Sequence, residues 1–446
     1  LDLTKGSVTK GMLMFALPMI CSNLLQQLYN IVDTLIVGRF IGTGALAAVG
    51  SAYTLMTFII SILLGMCMGS GAIFSIRFGE KRWDHLRENI FTSFVMIAFF
   101  SAVLNILSFV MIDAIMRFIS VPDEVYGLMR EYLLVVFCGI FASFLYNFFA
   151  SLLRAVGNSM MPLVFLGVSA VLNIALDLVF VLGFDMGVGG AALATVISQW
   201  IAGAGMMFYT LVKCPELRPQ RKDMKITAAG LGEITGASVL TCLQQSVMNL
   251  GILMVQGLVN SFGTAVMAAF AAAVKIDAFA YMPLQDFGNA FSTFTAQNYG
   301  ARKEERIRKG IRSALCSMLI FSAVISTCVL VFAKPLLMIF IRGSETEILS
   351  IGVTYLHVVG AFYFGIGGLF MLYGLYRALN RPGMSLVLTV ISLGSRVCLA
   401  YMLSALPAVG LIGIWWAVPI GWILADTTGV IYYLKIKKSV HQETLV

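Results

Sequence analysis

Apolar runs of more than 18 residues recur along nearly the whole chain, and they leave it few ways to fold. They fall at about 11–38, 49–76, 90–116, 131–153, 161–183 and 188–212. A second set falls at about 235–261, 266–297, 313–341, 351–376, 384–406 and 410–434. Each is long enough to cross ~30 Å of hydrocarbon at 1.5 Å per residue. Only 12% of the residues are charged, half of what a soluble domain carries. The chain therefore reads as an all-α integral membrane protein of twelve transmembrane helices. The first run is too long for a cleaved leader, and it carries the polar residues Asn23, Gln26, Gln27 and Asn30.

The loops between runs give the orientation. Lys5 and Lys10 precede the first run, and Arg77, Lys81, Arg82 and Arg87 follow the second. Counting every second connection in this way collects 23 of the 30 lysines and arginines on one side. The opposite loops hold only Arg39, Arg117, Arg130 and Arg342. The excess of basic loops predicts both termini on the cytoplasmic side of a plasma membrane. It also accounts for the net charge of +8 without nucleic-acid binding, because the charge is split among short loops. The eight cysteines, with no CxxC among them, read as small buried hydrophobes. Three histidines, His85, His357 and His441, are too few and too scattered for a histidine metal site.

The longest polar segment, CPELRPQRKDMKITAAGLGE at 214–233, divides the runs six and six. It predicts an N-terminal six-helix bundle at 1–213, a cytoplasmic linker at 214–233 and a C-terminal bundle at 234–446. The halves repeat each other. A shift of 221 residues lays Gly42, Thr43, Ala47 and Ala48 on Gly263, Thr264, Ala268 and Ala269. Later the shift becomes 223, laying Arg154 on Arg377 and Gly187 and Gly190 on Gly410 and Gly413. Six spans is an even number, so both halves enter the membrane alike, as a parallel repeat.

Ionisable residues inside such runs are costly and mark function by default. Asp33 stands in YNIVDTLIVG. Asn173 and Asp177, four residues apart, share one helix face. Thr195 lies on the next span, joined by the short glycine-rich turn FDMGVGG. Two carboxylates, an amide oxygen and a hydroxyl suit Na⁺, and the same carboxylates suit a proton. The repeat places Met254, Arg396, Ala400 and Val418 opposite Asp33, Asn173, Asp177 and Thr195, so this acidic cluster is confined to one half. The C-terminal half has its own membrane charges, Lys275, Asp277, Asp286, Arg396 and Asp426. Lys275 and Asp286, eleven residues apart on a similar face, suggest an internal ion-pair network with Asp277 and Arg396.

These residues resemble the multidrug and toxic compound extrusion (MATE) family of transporters over almost the whole chain. The most specific parts are Pro18-Met-Ile with YNIVDTLIVG, the stretch RAVGNSMMP at 154–162 with its echo RALNRPG at 377–383, and the Asn173/Asp177 pair. The resemblance implies two six-helix bundles around a V-shaped cleft. It implies export of organic cations and amphipathic drugs in exchange for Na⁺ or H⁺, with no cofactor. By position, Asp33 resembles the family's first-helix carboxylate, and Asn173, Asp177 and Thr195 its N-lobe cation ligands. Gln26, Tyr29 and Asn147 resemble residues lining the N-lobe cavity. One branch of the family carries acidic residues in helices seven and ten. TCLQQSVMNLGILMVQ and YLHVVGAFYFGIGGLFMLYGLY have none, so the likeness is to the branch with an N-lobe site.

The expected function is a secondary multidrug exporter working by alternating access as a monomer in the bilayer, not an enzyme. A flippase of lipid-linked saccharides is the alternative. It calls for several cavity-lining basic residues, where only Lys275, Arg396 and Lys334 are candidates. No GxxxxGK[ST], HExxH or GxSxG motif points to ATP coupling or to hydrolysis.

Overall fold

The computed structural model describes residues 1–443. Every long element is a helix, because a spanning segment must satisfy its own backbone N–H and C=O groups away from water. The first half comprises α1 (Val8–Phe40), α2 (Thr43–Glu80), α3 (Trp83–Val110), the short α4 (Ile112–Phe118), α5 (Asp123–Val136), α6 (Ile140–Ala155), α7 (Met160–Asp177) and α8 (Gly187–Lys213). The second half comprises α9 (Ala228–Asn260), α10 (Thr264–Gly300), α11 (Glu304–Val331), the short α12 (Ala333–Leu337), α13 (Thr346–Gly360), α14 (Tyr363–Ala378), α15 (Pro382–Ser404) and α16 (Leu411–Glu443).

Eleven spans are single helices or a helix pair in line, and the tenth is the pair α13 and α14, bent by 50°. That bend corrects the expected continuous run at 351–376. Its repeat counterpart at an offset of 223 is the 3₁₀ turn Phe137–Gly139 between α5 and α6, so both halves interrupt the same span at the same place. The backbone confirms the register elsewhere. Left-handed residues recur as Gly42 with Gly263 and Lys81 with Arg302 at an offset of 221. They recur as Gly157 with Asn380 and Gly187 with Gly410 at 223.

The chain packs as two compact units. One holds Leu1–Leu3, Met14–Cys242 and Gly300–Arg302; the other holds Thr4–Leu13, Leu243–Tyr299 and the chain from Lys303 onward. The 214–233 segment is therefore not where the units divide. Helix α9 begins inside it, at Ala228, and stays with unit one as far as Cys242. Glycine makes this possible. A Cβ on Gly69 of α2 would lie 2.4 Å from the Ala237 carbonyl oxygen, and one on Gly65 would lie 2.7 Å from Cys242 Cα. At that close approach Ser70 and Ser238 share a hydrogen bond of 2.8 Å. The segment itself is clamped by Arg87 Nε donating to Asp223 (2.8 Å) and by Arg77 donating to Glu233 (2.7 Å).

Unit one is filled by an aromatic cluster of Phe74, Phe94, Phe144, Phe148 and Phe149. Unit two is filled by Trp415, stacked on Phe270 and met edge-on by Tyr355. The cysteines correct the expectation of buried thiols. Among the described residues none of them forms a disulfide, but only Cys67 is buried, and Cys21, Cys138, Cys316, Cys328 and Cys398 are exposed. On a helix bathed in lipid an apolar thiol needs no protein cover.

Candidate functional site

Unit one brings the four expected oxygen-bearing residues together from three helices. Asp33 comes from α1, Asn173 and Asp177 from α7, and Thr195 from α8. Asp177 is 0% exposed and Asn173 2%. The Asp33 and Asp177 carboxyls lie within hydrogen-bonding reach of each other. The Asn173 amide joins the second of these to α8. With the amide turned so that each end meets its complement, its nitrogen faces Asp177 Oδ2 at 3.2 Å and its oxygen faces the Thr195 hydroxyl and backbone N–H, both at 3.2 Å. Thr195 Oγ1 also bonds the Ala191 carbonyl, which fixes its rotamer (3.1 Å). Asp33 Oδ1 and Asp177 Oδ1 are buried and receive no hydrogen bond from an N–H or a hydroxyl.

Local sequence explains the placement. A spacing of four puts Asn173 and Asp177 on one face of α7. Directly after Asp177 the helix widens into a π-helical turn, Leu178–Gly183. There Phe184 N bonds Val179 O at 3.0 Å and Met186 N bonds Phe180 O at 2.9 Å. Such turns are frequent at functional positions. The glycine-rich connection then turns the chain back, with Asp185 and Gly187 at positive φ. That return sets Thr195 beside Asn173.

Tyrosines complete the site. Tyr29 lies near Asp33, Tyr53 and Tyr146, with Gln26 within hydrogen-bonding reach of it. Tyr132 from α5 lies within electrostatic reach of Asp33, Asp177 and Tyr29. Asn30 Nδ2 donates to Tyr53 at 3.4 Å. Asn147 is spent locally, donating to Ser143 O at 2.8 Å. Tyr132, Tyr53 and Tyr146 escape the sequence reading. Tyrosine is too common in apolar runs to signal a site, although Tyr132 and Tyr355 do match at the repeat offset of 223.

The proposed network of the second half separates. Asp277 is 4% exposed and accepts hydrogen bonds from Tyr355 (2.6 Å) and Tyr363. Arg396 lies within electrostatic reach of Asp277, Tyr281, Tyr355 and Tyr373. Lys275 takes no part. It is exposed, with its ammonium 5.5 Å from the Phe340 ring centre. Lys275 and Asp286 share an azimuth on α10, but eleven residues of helix separate them by roughly 16 Å. The acidic content of helices seven and ten also needs correcting. Both helices are longer than their apolar cores, and Glu233 in α9 and Glu347 in α13 lie near their first turns.

Among the described residues no three His, Cys, Asp or Glu side chains gather as a metal cluster. The oxygen set of unit one suits a proton or a monovalent hard cation.

The MatE family model matches residues 18–179 and 237–402, one segment in each half of the repeat. The chain is 29% identical over 393 residues to "Probable multidrug resistance protein YpnP" of Bacillus subtilis, covering 88% of this chain and 87% of that protein. It is 24% identical over 435 residues to "Probable multidrug resistance protein NorM" of Thermotoga maritima, covering 96% and 93%. It is similar in fold to a solved structure titled "Crystal structure of MATE in the bent conformation". There the TM-score is 0.93 at 22% identity, over 100% of this chain and 98% of that one.

Proposed function

Because the chain belongs to the MatE family of multidrug efflux transporters, we propose that it exports organic cations and amphipathic drugs by antiport, coupled through Asp33 and Asp177. As a transporter it is not an enzyme, and its helices make it a multi-pass membrane protein. The single observation that supports the coupling reading is the contact between the two carboxyls. Two carboxylates side by side in a buried site cannot both stay charged without a cation between them. A proton shared by the pair satisfies the contact directly, and we take the coupling ion to be H⁺, with Na⁺ as the competing assignment. Asn173 orients Asp177 and ties it to Thr195. A cationic substrate reaching Asp33 would compete with the coupling ion for the same charge.

Alternating access then needs an energy difference between two states, and the ion supplies it by binding one state more tightly than the other. The basic loops favour both termini on the cytoplasmic face.

The test is ethidium efflux from proteoliposomes with pH and Na⁺ gradients imposed separately, for wild type and for Asp33→Asn. Efflux driven by a pH gradient alone, and lost in the variant, supports the reading. Efflux driven by Na⁺ alone would reassign the ion. Gradient-driven efflux that survives Asp33→Asn would overturn the site.

A further inference from the structure

One repeat position holds an amide in unit one and a guanidinium in unit two. Helices α7 and α15 are bracketed by turns that match at an offset of 223, Gly157 with Asn380 before them and Gly187 with Gly410 after. Asn173 therefore corresponds to Arg396, Asp177 to Ala400 and Thr195 to Val418. Ala400 and Val418 are buried hydrocarbon, so the oxygens that suit a cation in unit one have no equivalent. Tyr132 and Tyr355 also correspond, and each stands beside its own unit's carboxylate. The place is conserved within the repeat while its polarity is reversed.

The surroundings of Arg396 fit an incoming anion. Its guanidinium carbon lies 5.8 Å from the Trp422 ring centre. Its Nε is buried without a hydrogen-bond partner, and among the described residues no carboxylate forms an ion pair with it. Asp277 acts on it only at a distance, and its two oxygens accept hydrogen bonds from the Tyr355 and Tyr363 hydroxyls. Trp422 is 3% exposed, and its indole N–H also has no partner. Tyr281 and Tyr373 lie within electrostatic reach of Arg396. A guanidinium within a membrane span is retained only when something repays its desolvation. Its planar fork matches a carboxylate, and indole and phenol faces match an aromatic ring.

We propose that unit two contains a binding site for an aromatic carboxylate, with the carboxylate on Arg396 and the ring against Trp422 and the neighbouring tyrosines. The site's part in export rests on the efflux reading; its existence does not, so the test is binding.

Purified protein is equilibrated by dialysis against radiolabelled 2-naphthoate, with 2-naphthylmethanol as the uncharged control. Wild type should bind the acid saturably and at least tenfold more tightly than the alcohol. Arg396→Gln should weaken acid binding at least tenfold, and Arg396→Lys should fall between. Equal affinity for acid and alcohol, no saturable acid binding, or unchanged binding in Arg396→Gln would each overturn the proposal. If Arg396→Gln does not fold, competition on wild type decides. Benzoate must displace naphthoate and benzyl alcohol must not; displacement by both, or by neither, overturns it. None of these results depends on ethidium efflux, so the cation site stands or falls separately.

Discussion

The two units place their polar clusters at matching points of a repeated scaffold and balance charge in opposite ways. Unit one gathers Asp33 and Asp177 with an amide and a hydroxyl and provides no cationic side chain at the carboxyl pair. In unit two Asp277 lies between two phenols, with Arg396 within electrostatic range. Burying charge away from water is costly unless something opposite or hydrogen-bonding accompanies it. At Asp277 unit two carries that compensation in its own phenols. On the proposed reading, unit one leaves it to an exchangeable ion. The repeat preserves the position, and the paired residues 173/396, 177/400 and 195/418 change its chemistry.

The strongest way to break this comparison is to remove a unit-one carboxylate. Asp177→Asn should reduce gradient-driven ethidium efflux to the level of protein-free liposomes, while the folded yield by size-exclusion chromatography stays near wild type. Exchanging the paired residues should have the next largest effect. Asn173→Arg imports the fixed cation of unit two, and efflux should lose its dependence on the driving gradient and drop at least tenfold. The reciprocal Arg396→Asn should leave ethidium efflux within about twofold. If Arg396→Asn abolishes cation efflux, the two sites do not differ in the manner described.

A smaller effect separates the tyrosines. Tyr355→Phe takes one of two phenol donors from buried Asp277 and should cost about 1–3 kcal/mol of stability, read as a lowered Tm. Tyr132→Phe should shift Tm less, since no hydrogen bond from Tyr132 holds a carboxylate in place. The smallest effect lies outside the membrane. The Arg130 guanidinium and the Tyr126 hydroxyl hydrogen-bond Asp113 and hold its carboxyl below the usual range. A lowered folded-state pKa means that Asp113 stabilises the fold above the ordinary aspartate range, about pH 4, and loses that effect as pH falls below it. Asp113→Asn should therefore lower Tm slightly at pH 7, by an amount that disappears below pH ~4.

Much of this was legible without coordinates. Length and hydropathy impose helical spans, and the matched offsets of 221 and 223 recur in the observed helix boundaries and left-handed residues. The spacing of four between Asn173 and Asp177, and the short glycine-rich turn after them, are local facts that bring Thr195 to Asn173. Lys275 shows where such reasoning fails. A shared azimuth along α10 says nothing about separation along the axis, and Lys275 lies over Phe340 instead. The bend between α13 and α14, and the passage of α9 from one unit to the other, likewise depend on what packs alongside.

The sequence by itself therefore determined a membrane protein of repeated helical halves and nominated the polar residues that its hydrocarbon setting could least tolerate. Those properties follow from local periodicity and from the cost of burying charge, which act residue by residue. The tertiary structure alone decided which of those residues meet. It joined Asp33 to Asp177 across α1 and α7, added Tyr132 from α5, and closed Tyr355 and Tyr363 on Asp277. Contacts between helices distant in sequence depend on packing at the ångström scale, and Gly65 and Gly69 show how little room such packing leaves.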